Sequence, residues 1–164
     1  MKASDETVRR VWEDRIETDR MCRYYGHLAQ RLDGLGDVLQ IASVGAAAGA
    51  FVSLLSQFPA WVPTAAAVAT VAGIAVTVRR YPEKAARSAE ICRQLGQVHL
   101  ELEHLWNGVW AKDDAELVSA WEALSERQRS IVERAPRELP LSRSLARRAQ
   151  MEADRYWAEQ RTTA

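Results

Sequence analysis

Residues 38–78 read VLQIASVGAAAGAFVSLLSQFPAWVPTAAAVATVAGIAVTV, a run of 41 residues without Asp, Glu, Lys, Arg or His, bounded by Asp37 and by Arg79-Arg80. A helix that crosses a bilayer needs about 20 mostly apolar residues. Pro59 and Pro63 divide the run, so the sequence predicts two spans, residues 38–58 and 64–78, joined by a tight turn at 59–63. Phe58, Trp61 and Tyr81 fall where aromatic anchors at membrane interfaces are expected. Arg31 precedes the first span, and Arg79, Arg80 and Lys84 follow the second. The positive-inside rule then puts both termini in the cytoplasm and the turn outside. A cleaved signal peptide is not expected, because a long charged segment lies ahead of the run. The rival is a water-soluble protein that buries an Ala-rich hairpin, since 64–78 is only weakly apolar. That would demand a larger soluble shell than 164 residues offer.

Small residues recur inside the run. Ala42, Ala46 and Ala50 are four apart, Gly45 and Gly49 sit beside them, and Ala65, Ala69 and Gly73 repeat the spacing. Such stripes let helix backbones approach closely. Two uses stay open, packing of the hairpin on itself and oligomerisation.

Outside the run, two heptad seams appear. Met21, Tyr25, Leu28, Leu32, Leu35 and Leu39 form one, within a cytoplasmic helix placed at residues 1–37. Ile91, Leu95, Val98, Leu102, Leu105 and Val109 form the other, on a stalk helix at 79–112 that Pro82 can start. The seams can face each other in antiparallel contact, with Cys22 and Cys92 at similar distances from the hairpin. Asp113-Asp-Ala-Glu116 is a capping box for a helix carrying Leu117, Trp121, Leu124 and Ile131, and a last helix from about residue 142 carries Leu145, Ala149, Ala153 and Tyr156. Residues 113–164 are thus C-terminal helices. The expected fold is all-α, one two-transmembrane domain over 1–164, the hairpin continuous with a cytoplasmic antiparallel stalk.

Charge and chemistry exclude more than they suggest. The 22 basic and 22 acidic residues cancel, so duplex nucleic acid is not an expected partner. Two isolated cysteines make neither a disulfide framework nor a metal spacing, and a reducing compartment fits them best. Glu101-x-x-His104 has the spacing used in di-iron bundles, but no second such pair exists. No phosphate loop or nucleophile elbow is present, so neither enzyme nor cofactor is expected. Trp106 and Trp110, with Trp121 and Trp157, either stack on a base or pack between helices. Residues 127–164 hold nine Arg against five acidic residues, a balance of +4, whereas 79–126 balance at −3. Arg134, Arg137, Arg143, Arg147 and Arg148 can clamp phosphates or lipid headgroups, or the basic tail can dock on the acidic stretch 101–126.

A helix entering an uncharged hairpin, then Arg79-Arg-Tyr-Pro-Glu-Lys-Ala85 and a heptad helix, then Ile131-Val-Glu-Arg-Ala-Pro136 and Ala146-Arg-Arg-Ala149, together resemble the SLATT family of two-transmembrane effector domains. The likeness spans nearly the whole chain. It implies a bacterial conflict-system effector, partnered by a nucleotide second messenger or its synthase. Such an effector oligomerises and permeabilises or depolarises the inner membrane on activation, with membrane lipid as a further partner. The alternative is a membrane-anchored helical scaffold without pore activity.

Overall fold

The computed structural model describes residues 4–55, 62–135, 139 and 141–163. Among them every regular element is helical: α1 (Asp5–Leu55), α2 (Val62–Arg79), α3 (Tyr81–Asn107), α4 (Asp114–Glu133) and α5 (Arg143–Thr163). The all-α expectation is therefore met. Each start has a local cause. Ser4 Oγ accepts the Thr7 N–H at 3.2 Å, and Asp5 and Glu6 fill the first turn of α1. Asp113 caps α4 by accepting the Glu116 N–H at 2.9 Å. The reciprocal half of the expected capping box is absent, because the Glu116 carboxylate turns to Lys112 at 2.5 Å. Ser142 Oγ accepts the Leu145 N–H at 3.4 Å and opens α5.

One junction follows the sequence expectation and one departs from it. No break separates 1–37 from the apolar run, because no proline stands before residue 59 and α1 continues to Leu55. The second half of the hairpin is not continuous with the stalk. Arg80 lies between α2 and α3 with a φ of 48°, a left-handed conformation that ends one helix, and its carbonyl accepts the Lys84 N–H of the next.

The chain divides into two compact units, Met1–Leu28 with Arg87–Ala164, and Ala29–Ala86. In the first unit all six residues of the second seam are buried: Ile91, Leu95, Val98, Leu102 and Leu105 on α3, and Val109 two residues past its end. Met21, Cys22 and Tyr25 of α1 and Leu124, Ile131 and Val132 of α4 pack against the near half of this seam. Val11 and Leu117 close its far half. From α5, Ala149, Ala153 and Trp157 are buried. Tyr156, expected on that face, is 39% exposed, since a step of four from Ala153 puts Trp157 inside.

The second unit holds the hairpin. Ser43 Oγ donates to the Ala69 carbonyl at 3.3 Å, and a Cβ at Gly73 would stand 3.5 Å from Ser43 Oγ. Gly36 is buried, its Cβ position 3.6 Å from the Cβ of Tyr81. Small residues thus bring α1 close to α2 at Ser43 and Gly73, and to the start of α3 at Gly36.

This geometry corrects the expected location in the bacterial inner membrane, and with it the topology that left both termini cytoplasmic. Among the described residues no helix is long and apolar enough to cross a membrane. The turn at 59–61, Phe58 and Trp61 lie outside the described residues.

Candidate functional site

On α1, Glu17, Arg20, Met21, Tyr24 and Tyr25 follow steps of three, one, three and one, which place them along one helical face. That face and the start of α5 line an open groove of about 670 Å³, completed by Ser142, Arg143, Ala146, Arg147 and Gln150. The same serine that caps α5 fixes the groove, because its N–H donates to the Tyr24 hydroxyl at 3.3 Å. Arg20 is held by Glu17 and donates to Gln150 Oε1 at 2.6 Å. Arg143 and Arg147 are exposed and carry no ion pair among the described residues.

The five arginines expected to clamp phosphate therefore separate. Arg143 and Arg147 share the groove. Arg148 turns away to Glu152 at 2.9 Å, and Glu152 also meets His27 Nε2 at 2.7 Å. The Arg148 hydrogen bond, and then that of His27, hold the Glu152 carboxyl below the usual carboxylate range. Arg134 is the C-cap of α4, outside the groove. Arg137 lies outside the described residues. Arg20 is the addition that sequence did not single out, because Glu17 three residues earlier makes it look like an ordinary surface pair.

The docking of the basic tail on the acidic stretch is represented among the described residues by Arg127 to Glu101 at 2.7 Å and, within one helix, by Arg129 to Glu126 at 3.2 Å. The tryptophans pack between helices. Trp12 lies 5.0 Å from Trp106 and 5.4 Å from Trp157 by ring centroids. The Arg15 guanidinium sits 4.5 Å from the Trp157 ring centre and within cation–π range of the other two rings, with Glu103 as counter-ion at 2.5 Å. Trp121 donates to Asp14 at 2.8 Å, and Trp110 is 72% exposed. Glu101 and His104 are exposed, and among the described residues no group of three His, Cys, Asp or Glu is placed to hold a metal.

The small-residue positions also separate. Ala65 and Ala69 are half-buried, and Gly73 faces Ser43. A Cβ at Gly45 or Gly49 would meet nothing within 4 Å, so neither glycine serves the contact between α1 and α2. They lie instead on an outer face of α1 with Val38, Ile41 and Val44, where Asp37, Gln40, Ile41, Val44 and Gly45 line a shallow groove of about 580 Å³. On α2, Val68, Val71 and Ile74 are exposed as well.

No family profile, characterised protein or solved structure matches the chain.

Proposed function

We propose that this chain is a self-assembling helical effector whose charge-free hairpin is its contact surface. The observation that carries this reading is the outward apolar face of the second unit, where Ile41 is 71% and Val71 67% exposed with no charge between residues 38 and 78. Apolar surface contributes roughly 25 cal/mol per Å² when removed from water, so a continuous face of this kind favours a cover. Copies of the chain suit it. A hetero-partner is usually selected by charge, and the hairpin has none to offer. The open Gly45 and Gly49 positions on α1 are hollows, and the β-branched Val68, Val71 and Ile74 on α2 are knobs. Hollows on one copy against knobs on the next make a heterologous contact, which builds rings or filaments.

The groove is the matching input. Two uncompensated arginines beside two tyrosines and a helix N-terminus suit a phosphate-bearing ligand with an aromatic ring. The SLATT-like motifs supply a class for it, a nucleotide signal.

Sedimentation of the full chain tests the proposal. Wild type should run as an assembly, and Gly49→Leu, which fills a hollow without touching the chain's own contacts, should shift it toward monomer. A wild-type monomer that partitions onto lipid vesicles instead would overturn self-assembly. For the input, Arg143→Glu with Arg147→Glu should abolish binding of nucleoside phosphates and leave the fold intact.

A further inference from the structure

The molecule also carries a chemical site that neither surface uses. Cys22 on α1 and Cys92 on α3 place their sulfurs 3.1 Å apart, about an ångström beyond the disulfide bond length of about 2.05 Å. The approach is built into the backbone. Four residues after each cysteine stands a glycine, Gly26 and Gly96. A Cβ at Gly26 would lie 3.5 Å from Cys92 Sγ, and one at Gly96 would lie 3.9 Å from Cys22 Sγ. Each sulfur thus rests over the other helix's glycine, and a larger side chain at either position would push the pair apart. The residues four before each cysteine, Thr18 and Ser88, are small and fully buried, so the same close seam continues on the other side. Both cysteines are half-buried, and both belong to one compact unit.

We propose that Cys22 and Cys92 form a reversible dithiol–disulfide site, oxidised within one chain by a low-molecular-weight disulfide of the glutathione type. The two thiols take different parts. The Cys22 thiol donates to the Cys92 carbonyl at 3.3 Å, and the two sulfurs share a hydrogen bond at 3.1 Å in which either can donate. That hydrogen bond lowers the Cys92 thiol to about 7, against the opposing effect of burial. It raises the Cys22 thiol together with burial and the Asp19 carboxylate, while Arg23 opposes the rise. The thiolate is the nucleophile, so Cys92 attacks first. Cys92 thiolate bonds to one sulfur of the disulfide, forming a mixed disulfide and expelling one small thiolate. Cys22 then gives up its proton, attacks Cys92 Sγ, closes the Cys22–Cys92 bond and expels the second small thiolate. Two cysteine thiols are oxidised by two electrons, the small disulfide is reduced to two thiols, and the cysteine protons end on those leaving groups. The product staples α1 to α3.

The test is intact-mass analysis and thiol titration of the full chain in buffers of graded oxidised to reduced glutathione. Wild type should lose two hydrogens and both titratable thiols, stay a single chain on a non-reducing gel, and recover both thiols when reduced. Cys22→Ser should accumulate the Cys92 mixed disulfide. Cys92→Ser should carry at most one glutathione, on Cys22, and close no bond within the chain. Two free thiols in wild type at every ratio, or oxidation only to adducts or to dimers between chains, would overturn the proposal whatever the variants do.

Discussion

Glycines that look alike in the sequence differ sharply once their neighbours are known. Gly26 faces Cys92 across a helix contact, whereas Gly45 faces open space. Gly26→Leu forces a side chain into a filled seam and should cost about 1–3 kcal/mol, read as a lower urea midpoint. Gly45→Leu should leave the midpoint unchanged or raise it by up to about 1 kcal/mol, because a helical glycine is replaced at no steric expense. The same contrast governs the Arg15 cage. Its side chain is 11% exposed and Glu103 is its counter-ion, so Glu103→Gln strands a charge among three tryptophans. The expected loss is about 3 kcal/mol, and Arg15→Met, which removes the charge and keeps the packing stem, should cost less. An equal loss in the two variants would show that the rings, not the ion pair, hold this corner.

At the level of elements, caps and carboxylates give predictions with a definite sign. Asp113→Ala removes the α4 cap and should cost about 1 kcal/mol. Glu152 links α5 to His27 of α1, and its carboxyl is held below the ordinary range, as is that of Glu90, lowered to about 2 by Arg93 and Gln94. A carboxyl lowered in the folded state contributes stability that is complete above its ordinary value of 4.5 and is lost as pH falls through the folded value. Stability should therefore decline from about pH 4.5 toward pH 2, and Glu152→Gln should flatten that decline, measured as the thermal midpoint against pH. How much of this was legible depended on hydropathy. The second seam was written in Ile, Leu and Val at heptad steps, and all six positions are inside. The first turns of α1 bury Thr7, Arg15, Thr18 and Asp19, polar residues that no apolar period marks. The groove was half legible. The basic tail pointed to Arg143 and Arg147, while Arg20 and the two tyrosines needed the α1–α5 contact to join them. The break at Arg80 was marked only by Pro82, which announces a helix start and not a positive φ.

At the scale of the whole molecule, the question is what covers the hairpin, and the physics of the cover is testable without knowing its geometry. The 41-residue run was read as two spans because it lacks charge. Under the self-assembly proposed above, the same lack of charge makes it a contact surface, since burial against protein and burial in lipid draw on one driving force. Assembly through such a face should strengthen in sulfate, which favours apolar burial, and should not weaken as sodium chloride rises, because no ion pairs are there to screen. Charges introduced at its two exposed centres should act oppositely to salt. Ile41→Lys with Val71→Lys puts a cation on each outer face, at positions 71% and 67% exposed that the chain's own packing does not use. The doubly charged variant should sediment as a monomer, with the helical circular dichroism of the wild type and an unaltered Cys22–Cys92 reaction, which reports the other unit. An assembly that survives both charges would place the contact elsewhere, on the groove or on the exposed Trp110, and would leave the charge-free run without a role in self-association.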